Sequence, residues 1–136
     1  MNSPNYDRAE ALCNEGLELM MQQEWEQAAG KFIAALDEDP TSPELWFNAG
    51  KCFFHLDKFE MAILRLKGAV HNNPEYAEAW ALKGSCHYAM GELDKARDCF
   101  NVAESCASEG FAKECFTAYA HCTLALGEYD RGFAEY

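Results

Sequence analysis

Hydrophobic residues recur along the chain at the spacing of amphipathic helices. In the stretch 45–56 the apolar residues share one face of a predicted helix; they are Leu45, Trp46, Ala49, Phe53 and Leu56. The stretch 59–70 shows the same periodicity after a short polar break at residues 57–58. Pro74 follows two asparagines, a combination that ends helices. The pattern therefore predicts two helices joined by a tight turn and followed by a turn marked by proline.

This pair of helices is repeated with a period of 34 residues. Small and large residues keep their positions between copies; the aligned sets are Gly16/Gly50/Gly84, Ala28/Ala62/Ala96, Ala35/Ala69/Ala103, Phe32/Leu66/Phe100, Trp25/Phe59/Leu93, Leu12/Trp46/Trp80 and Pro40/Pro74. A glycine inside a helix costs about 1 kcal/mol relative to alanine, so its recurrence needs a packing reason. We expect Gly50 and Ala62 to lie where the two helices of a hairpin cross closely.

The recurring residues match a known repeat pattern. The set Trp46, Gly50, Phe53, Ala62, Leu66, Ala69 and Pro74 resembles the signature of the tetratricopeptide repeat (TPR) family. On this resemblance the chain holds three full repeats and a partial fourth, at about 9–42, 43–76, 77–110 and 113–136. The fourth copy follows a two-residue slip, so that Phe116, Gly127 and Tyr129 match Trp80, Gly91 and Leu93.

The resemblance implies an all-α fold, a right-handed superhelical solenoid of antiparallel helix hairpins, in a single domain covering residues 1–136. Terminal repeats of solenoids usually carry a polar cap, but the last residue, Tyr136, falls midway along what would be a second helix. Phe116 and Phe133 would then be left partly open. We expect the chain to be the N-terminal part of a longer protein. Two alternatives stay open: self-association through this edge, giving a homo-oligomer, and a half repeat that itself acts as the cap.

In TPR proteins the first helix of each hairpin lines a concave groove that binds a peptide or helix of a partner. The residues that we expect to line such a groove are Asn14, Leu17, Met20, Met21, Phe47, Asn48, Lys51, Phe54, His55, Leu82, Ser85, Tyr88 and His121. The set is unusually apolar, and methionine adapts to ligands of varied shape. The resemblance and these residues together predict a non-enzymatic protein–protein interaction module that binds an apolar or amphipathic segment of a protein partner. Alternatively, some of these side chains pack against a neighbour.

The predicted groove does not resemble the carboxylate clamp with which TPR co-chaperones hold the acidic C-terminus of the large heat-shock chaperones. That clamp needs two lysines, an arginine and two asparagines, and only Asn48 matches it. The other four places hold Cys13, Leu17, Glu78 and Leu82. An anionic tail would find too few donors here.

Charge narrows the classes of partner. The chain has 11 basic and 23 acidic residues and a formal net charge of −12, which argues against nucleic acid and anionic membrane surfaces as partners. No stretch approaches the roughly 18 apolar residues of a membrane span, so we expect no membrane insertion. Residues 1–50 hold ten acidic and two basic residues. A partner with a basic flank would be steered there, although from the sequence alone a solvated acidic surface is the simpler interpretation.

Candidate chemistry is sparse. The seven cysteines form no CxxC pair, and their odd number is a poor disulfide framework, so we expect reduced thiols in the cytoplasm. Cys86-His87 and His121-Cys122 are neighbours on a helix and point about 100° apart, too far to form a dyad. Cysteine pairs seven residues apart are separated by about 10.5 Å, too far for shared zinc ligation. No phosphate-binding glycine loop or nucleophile elbow is present. We therefore expect no catalytic residue, metal or cofactor.

Two further functions compete with the general interaction module. The small size, the acidity and the apolar groove are similar to class II type III secretion chaperones, which shield translocator proteins. Alternatively, the chain is a TPR targeting domain of a larger enzyme, such as a bacterial glycosyltransferase.

Overall fold

The computed structural model describes residues 5–130, which form helices and no strand. The helices are α1 (Tyr6–Met21), α2 (Trp25–Glu38), α3 (Pro43–His55), α4 (Phe59–Asn72), α5 (Ala77–Ala89), α6 (Leu93–Cys106) and α7 (Glu109–Asp130). The predicted all-α class and helical repeat are confirmed. The chain divides between Pro74 and Glu75 into two compact units, which we describe separately.

The first unit contains two hairpins. α1 packs on α2, α2 packs on α3, and α3 packs on α4. The apolar faces that the sequence pattern predicts meet in its interior, where Phe32, Cys52 and Leu66 have no exposed surface. Because the second helix α2 contacts the first helices on either side of it, α1 and α3 each bury one side against the same neighbour.

The second unit contains the hairpin α5–α6 and the long helix α7, which packs on α6. Its core includes Ala96, Phe100 and Cys122, with Tyr119 of α7 packed against them. The turn that the match of Gly127 to Gly91 suggests is absent, because α7 continues through this position to Asp130. Leu124, Ala125 and Leu126 precede Gly127 and favour helix, and one glycine costs only about 1 kcal/mol. Tyr136, which the sequence pattern places in a second helix, lies outside the described residues.

The glycine of each first helix lies at the crossing with its second helix. A Cβ atom built at Gly50 would lie 2.8 Å from Cγ of Leu66 and 3.3 Å from the carbonyl oxygen of Ala62. The equivalent distances to ring carbons are 2.8 Å at Gly16 and 3.0 Å at Gly84. The predicted close crossing at Gly50 and Ala62 is confirmed, and it recurs in all three hairpins.

The tight turn inside each hairpin has the same backbone geometry. Gln23, Asp57 and Gly91 occupy one repeat position and have φ of 60°, 59° and 81°. After α3, the N–H of Lys58 donates to the carbonyl oxygen of Phe53 at 2.9 Å, and equivalent bonds follow α1 and α5. This is the pattern of a Schellman motif, which reverses the chain within two or three residues. The polar break predicted at residues 57–58 is thereby confirmed.

We predict that Gly50→Ala destabilises the protein while Gly30→Ala does not. The new methyl group at residue 50 would press on fully buried Leu66, and such overpacking costs about 1–3 kcal/mol. Gly30 lies on the exposed side of α2 with nothing within 4 Å of its Cβ position, so alanine there should add up to about 1 kcal/mol of stability. Urea melts of both variants measure the difference. Equal midpoints would contradict the close crossing.

Candidate functional site

The candidate site is the exposed surface of the first helices. We name the exposed surface of α1 and α3 the α1/α3 face, and that of α5 and α7 the α5/α7 face. Nine of the predicted groove residues lie on α1 and α3, and four lie on α5 and α7. Each face belongs to one unit of the structure. A groove that joins the two faces remains a prediction.

The α1/α3 face exposes apolar side chains that the core does not need. Leu17 is 41% exposed and Met21 is 86% exposed, although α1 already buries Ala9 and Gly16 on its other side. Other predicted groove residues of this face are half-buried, namely Met20, Phe47, Asn48, Lys51 and Phe54, while Asn14 is exposed. Exposed methionines and leucines that contribute little to folding are common at protein contact surfaces.

Aromatic rings cluster at the C-terminal end of α3. The ring of His55 stacks on Trp25 at 3.9 Å between centroids and an interplanar angle of 9°. Phe54 contacts both His55 and Phe59 edge-on, at 5.7 Å each. Partial burial, and then the nearby positive charge of Lys51, lower the pKa of His55. The lowered pKa favours the neutral imidazole of His55 in this cluster.

A polar contact joins α5 and α7 on the α5/α7 face. Oη of Tyr88 on α5 lies 2.8 Å from Nε2 of His121 on α7, so two of the predicted groove residues meet. The hydroxyl of Ser85 donates to the carbonyl oxygen of Ala81 within its own helix, and Leu82 is half-buried. This leaves an exposed surface in which the tyrosine ring and the imidazole act as one polar unit.

Two large apolar side chains of α7 are exposed, and the sequence pattern places one of them, Leu124, on the groove side. Phe116 and Leu124 are both more than half exposed. Leu124 occupies the same repeat position as Phe54 and Tyr88 after the two-residue slip, so the repeat alignment carried the signal. The exposure of Phe116 confirms the expectation that it is left partly open, whereas Phe133 lies outside the described residues.

Two of the cysteines are buried thiols of raised pKa, and the histidine beside one of them lies against a carboxylate. Burial raises the pKa of Cys52 to about 11 and that of Cys86 to about 12, so neither forms a thiolate near pH 7. Nδ1 of His87, the neighbour of Cys86, lies 2.9 Å from the carboxylate of Glu92. That hydrogen bond, followed by the one from Lys95, lowers the pKa of Glu92. These contacts stabilise the turn between α5 and α6.

Residues 5–130 contain neither a candidate metal site nor a candidate membrane-spanning helix. No group of three or more His, Cys, Asp or Glu residues there could hold a metal ion. None of the helices in this range is both long enough and apolar enough to cross a membrane.

We predict that Cys52 and Cys86 resist alkylation in the native protein at pH 8. Their raised pKa values leave about one thiol in a thousand or fewer ionised, and both side chains are fully buried. Iodoacetamide labelling followed by peptide mass spectrometry measures this, with the protein unfolded in guanidinium as the control. Native labelling of Cys86 at the unfolded rate would contradict the buried position.

Models of a single protein family match two overlapping parts of the chain. Two models, each described as a tetratricopeptide repeat, match residues 19–83 and 77–104. TPR repeat-containing protein MJ1428 of Methanocaldococcus jannaschii is 24% identical over 112 residues, which cover 82% of this chain and 19% of the relative. RNA polymerase II-associated protein 3 of Homo sapiens is 28% identical over 90 residues, which cover 66% of this chain and 14% of the relative. The chain thus spans less than a fifth of these relatives.

Solved structures share the fold. The first TPR of Spaghetti (RPAP3), bound to the HSP90 peptide SRMEEVD, has a TM-score of 0.86 and 23% identity, and covers 93% of this chain and 99% of that structure. PcrH in complex with the chaperone-binding region of PopD has a TM-score of 0.85 and 21% identity, with 89% and 95% covered. The Yersinia enterocolitica type III secretion chaperone SycD, with a peptide of the translocator YopD, has a TM-score of 0.85 and 16% identity, with 91% and 98% covered.

Proposed function

The chain belongs to the tetratricopeptide repeat family, and from that premise we propose that it is a protein-interaction module. It binds an apolar or amphipathic peptide segment of a protein partner on the α1/α3 and α5/α7 faces. The observation that carries this proposal is the exposure of Leu17 and Met21 on a helix whose packing side is already filled. Burying two such side chains in a complex would contribute about 1.5–3 kcal/mol each.

The thirteen residues expected from the sequence are the proposed contact residues, with Phe116 and Leu124 added. In support of this choice, Met20 and Met21 lie at the C-terminal end of α1, and Phe54 lies at that of α3 beside the stacked ring of His55. Such an uncharged patch suits the apolar side of a peptide. We propose that the protein has no enzymatic activity and works in the cytoplasm, as its seven free thiols suggest.

Two more specific functions remain candidates. The similarity to PcrH and SycD, two structures with translocator segments or peptides bound, favours a dedicated chaperone. The much greater length of the curated relatives favours a targeting domain within a larger protein. Both would use the same faces, so both are forms of the interaction module.

We predict that Leu17→Gln/Met21→Gln abolishes capture of the natural partner from a lysate of the source cells. Glutamine keeps side-chain length and helix propensity and adds no charge, so only apolar contact is lost. The matched control is Met61→Gln/Leu64→Gln, because Met61 (45% exposed) and Leu64 (63% exposed) lie on the second helix α4, outside both faces. Circular dichroism checks that both variants fold. Loss of the partner from the control, or its retention by the Leu17 and Met21 variant, would contradict the proposal.

We also predict that the HSP90 peptide SRMEEVD, which the Spaghetti domain binds, does not bind this chain. Only Asn48 matches the clamp of that peptide class, and its other four places hold Cys13, Leu17, Glu78 and Leu82. The peptide carries its own carboxylates, so both sides would be negative. Isothermal titration calorimetry, with the Spaghetti domain as positive control, measures this. A Kd below about 100 μM would be evidence for a clamp of different composition.

A further inference from the structure

A second feature of the first helices is a column of glutamates. Glu10, Glu44, Glu78 and Glu114 occupy one repeat position, one on each of α1, α3, α5 and α7. All four are exposed, and within residues 5–130 none forms an ion pair. The basic residues of the first hairpin are engaged elsewhere, since Arg8 pairs with Glu38 and Lys31 pairs with Glu15. Within residues 5–130 the four carboxylates therefore have no ion-pair partner, although Glu44 accepts a hydrogen bond from the hydroxyl of Ser42 at 3.3 Å.

The column lies on the same faces as the proposed contact residues. On α1, Leu17 and Met21 follow Glu10 by seven and eleven positions, which brings all three within about 20° of one direction at about 100° per residue. On α3 the residues at these spacings from Glu44 are Lys51 and His55. Each first helix thus presents a carboxylate toward its N-terminal end and, in α1, apolar side chains toward its C-terminal end.

Within each unit, one cysteine lies close enough to glutamates of two first helices for their charges to raise its pKa. Burial raises the pKa of Cys13, and the negative charges of Glu44 on α3 and Glu10 on α1 raise it further. In the second unit, burial is again the largest cause that raises the pKa of Cys115, followed by the charges of Glu114, Glu104 and Glu78. One thiol therefore senses the glutamates of two adjacent first helices in each unit.

The helix dipole explains the positions of only two of the four glutamates. Glu44 and Glu78 lie in the first turns of α3 and α5, where a carboxylate stabilises the helix. Glu10 and Glu114 lie beyond the first turns of their helices, where this effect has decayed. The sequence alone favours a solvated acidic surface. However, carboxylates without an ion-pair partner beside exposed apolar side chains also suit a ligand that carries both positive charge and apolar surface.

We propose that the segment bound by the first-helix faces is a basic amphipathic helix, and this inference rests on the proposed function. Its apolar side contacts Leu17, Met21 and Phe54, and its lysines or arginines lie over Glu10 and Glu44. The dimensions fit, because Glu10 and Leu17 are separated by about 10.5 Å along α1, and a helix with its side chains is about 10–12 Å wide. A bound helix lying across α1 and α3 would therefore contact the glutamates and the apolar side chains at the same time. Lys51 lies two turns beyond Glu44 and is therefore separated from the glutamates.

The test uses three synthetic peptides about four helical turns long. All three carry leucines at the spacing i, i+3, i+4, i+7, and their remaining positions are lysine in the first, glutamine in the second and glutamate in the third. Fluorescence anisotropy measures the Kd of each for the full chain. We expect the lysine peptide to bind at least tenfold more tightly than the glutamine peptide, and the glutamate peptide to bind most weakly. Raising NaCl from about 50 to about 500 mM should remove most of the difference.

Two double variants locate the charge effect. Glu10→Gln/Glu44→Gln removes two charges from the α1/α3 face, and Glu26→Gln/Glu60→Gln removes two from the second helices α2 and α4. Both variants have the same net charge, and the control gives up two first-turn carboxylates, so a general loss of stability would affect it at least as much. We expect the first to weaken binding of the lysine peptide about tenfold and the second to leave it within about twofold.

The outcomes separate this inference from the proposed function. Equal weakening by both double variants would show nonspecific attraction to an acidic protein and overturn the inference. Equal binding of all three peptides, lost in Leu17→Gln/Met21→Gln, would also overturn it but would leave the proposed function standing. Failure of all three peptides to bind would count against both. Tighter binding of the lysine peptide that depends on Glu10 and Glu44 supports the inference.

Discussion

The contact between a glycine of each first helix and a large apolar side chain of the second is the constraint on which the rest of the structure depends. A Cβ atom built at Gly16, Gly50 or Gly84 would lie 2.8, 2.8 or 3.0 Å from the partner side chain. Without that approach, the paired helices would separate and the buried alanines at 28, 62 and 96 could not pack. The crossing thus decides which side of each first helix is buried, and by exclusion which side is free.

Because the crossing recurs, every position on the free side recurs as well. The repeat therefore determines where a side chain stands, while its chemistry can vary from one copy to the next. In this chain, apolar residues such as Met20, Phe54 and Leu124 share one such position, and four glutamates share another. The corresponding exposed positions of the second helices lack this combination; for example, Gln27, Met61 and Lys95 share a position. Two kinds of side chain repeated on one surface indicate a requirement at that surface that folding does not impose.

The sequence predicted most of the hairpin structure because the responsible residues are local and periodic. Gly50, Ala62 and the polar break at residues 57–58 sufficed to place helices, turn and crossing. The continuity of α7 was not predicted, since a glycine that ends a helix and one that a helix tolerates look alike without the packing around them. Two contacts were also not predicted: the stack of His55 on Trp25 and the contact of Tyr88 with His121. Each joins residues about 30 positions apart through side-chain rotamers, which the spacing of residues in the sequence does not determine.

The thirteen groove positions follow from periodicity alone, because it identifies the side of each first helix opposite the packing stripe, and their role in binding stays a prediction. The glutamate column was equally visible in the sequence, but an acidic chain offers many glutamates, and most of them serve only solvation. What separates Glu10 and Glu44 from Glu26 and Glu60 is position: they share one repeat position on the first helices, and both of their charges raise the pKa of Cys13. Solubility requires negative charge somewhere on this protein, but it does not require Glu10 to share one direction of α1 with the exposed side chains of Leu17 and Met21. Their alignment is therefore better explained by a ligand that carries positive charge and apolar surface on neighbouring sides.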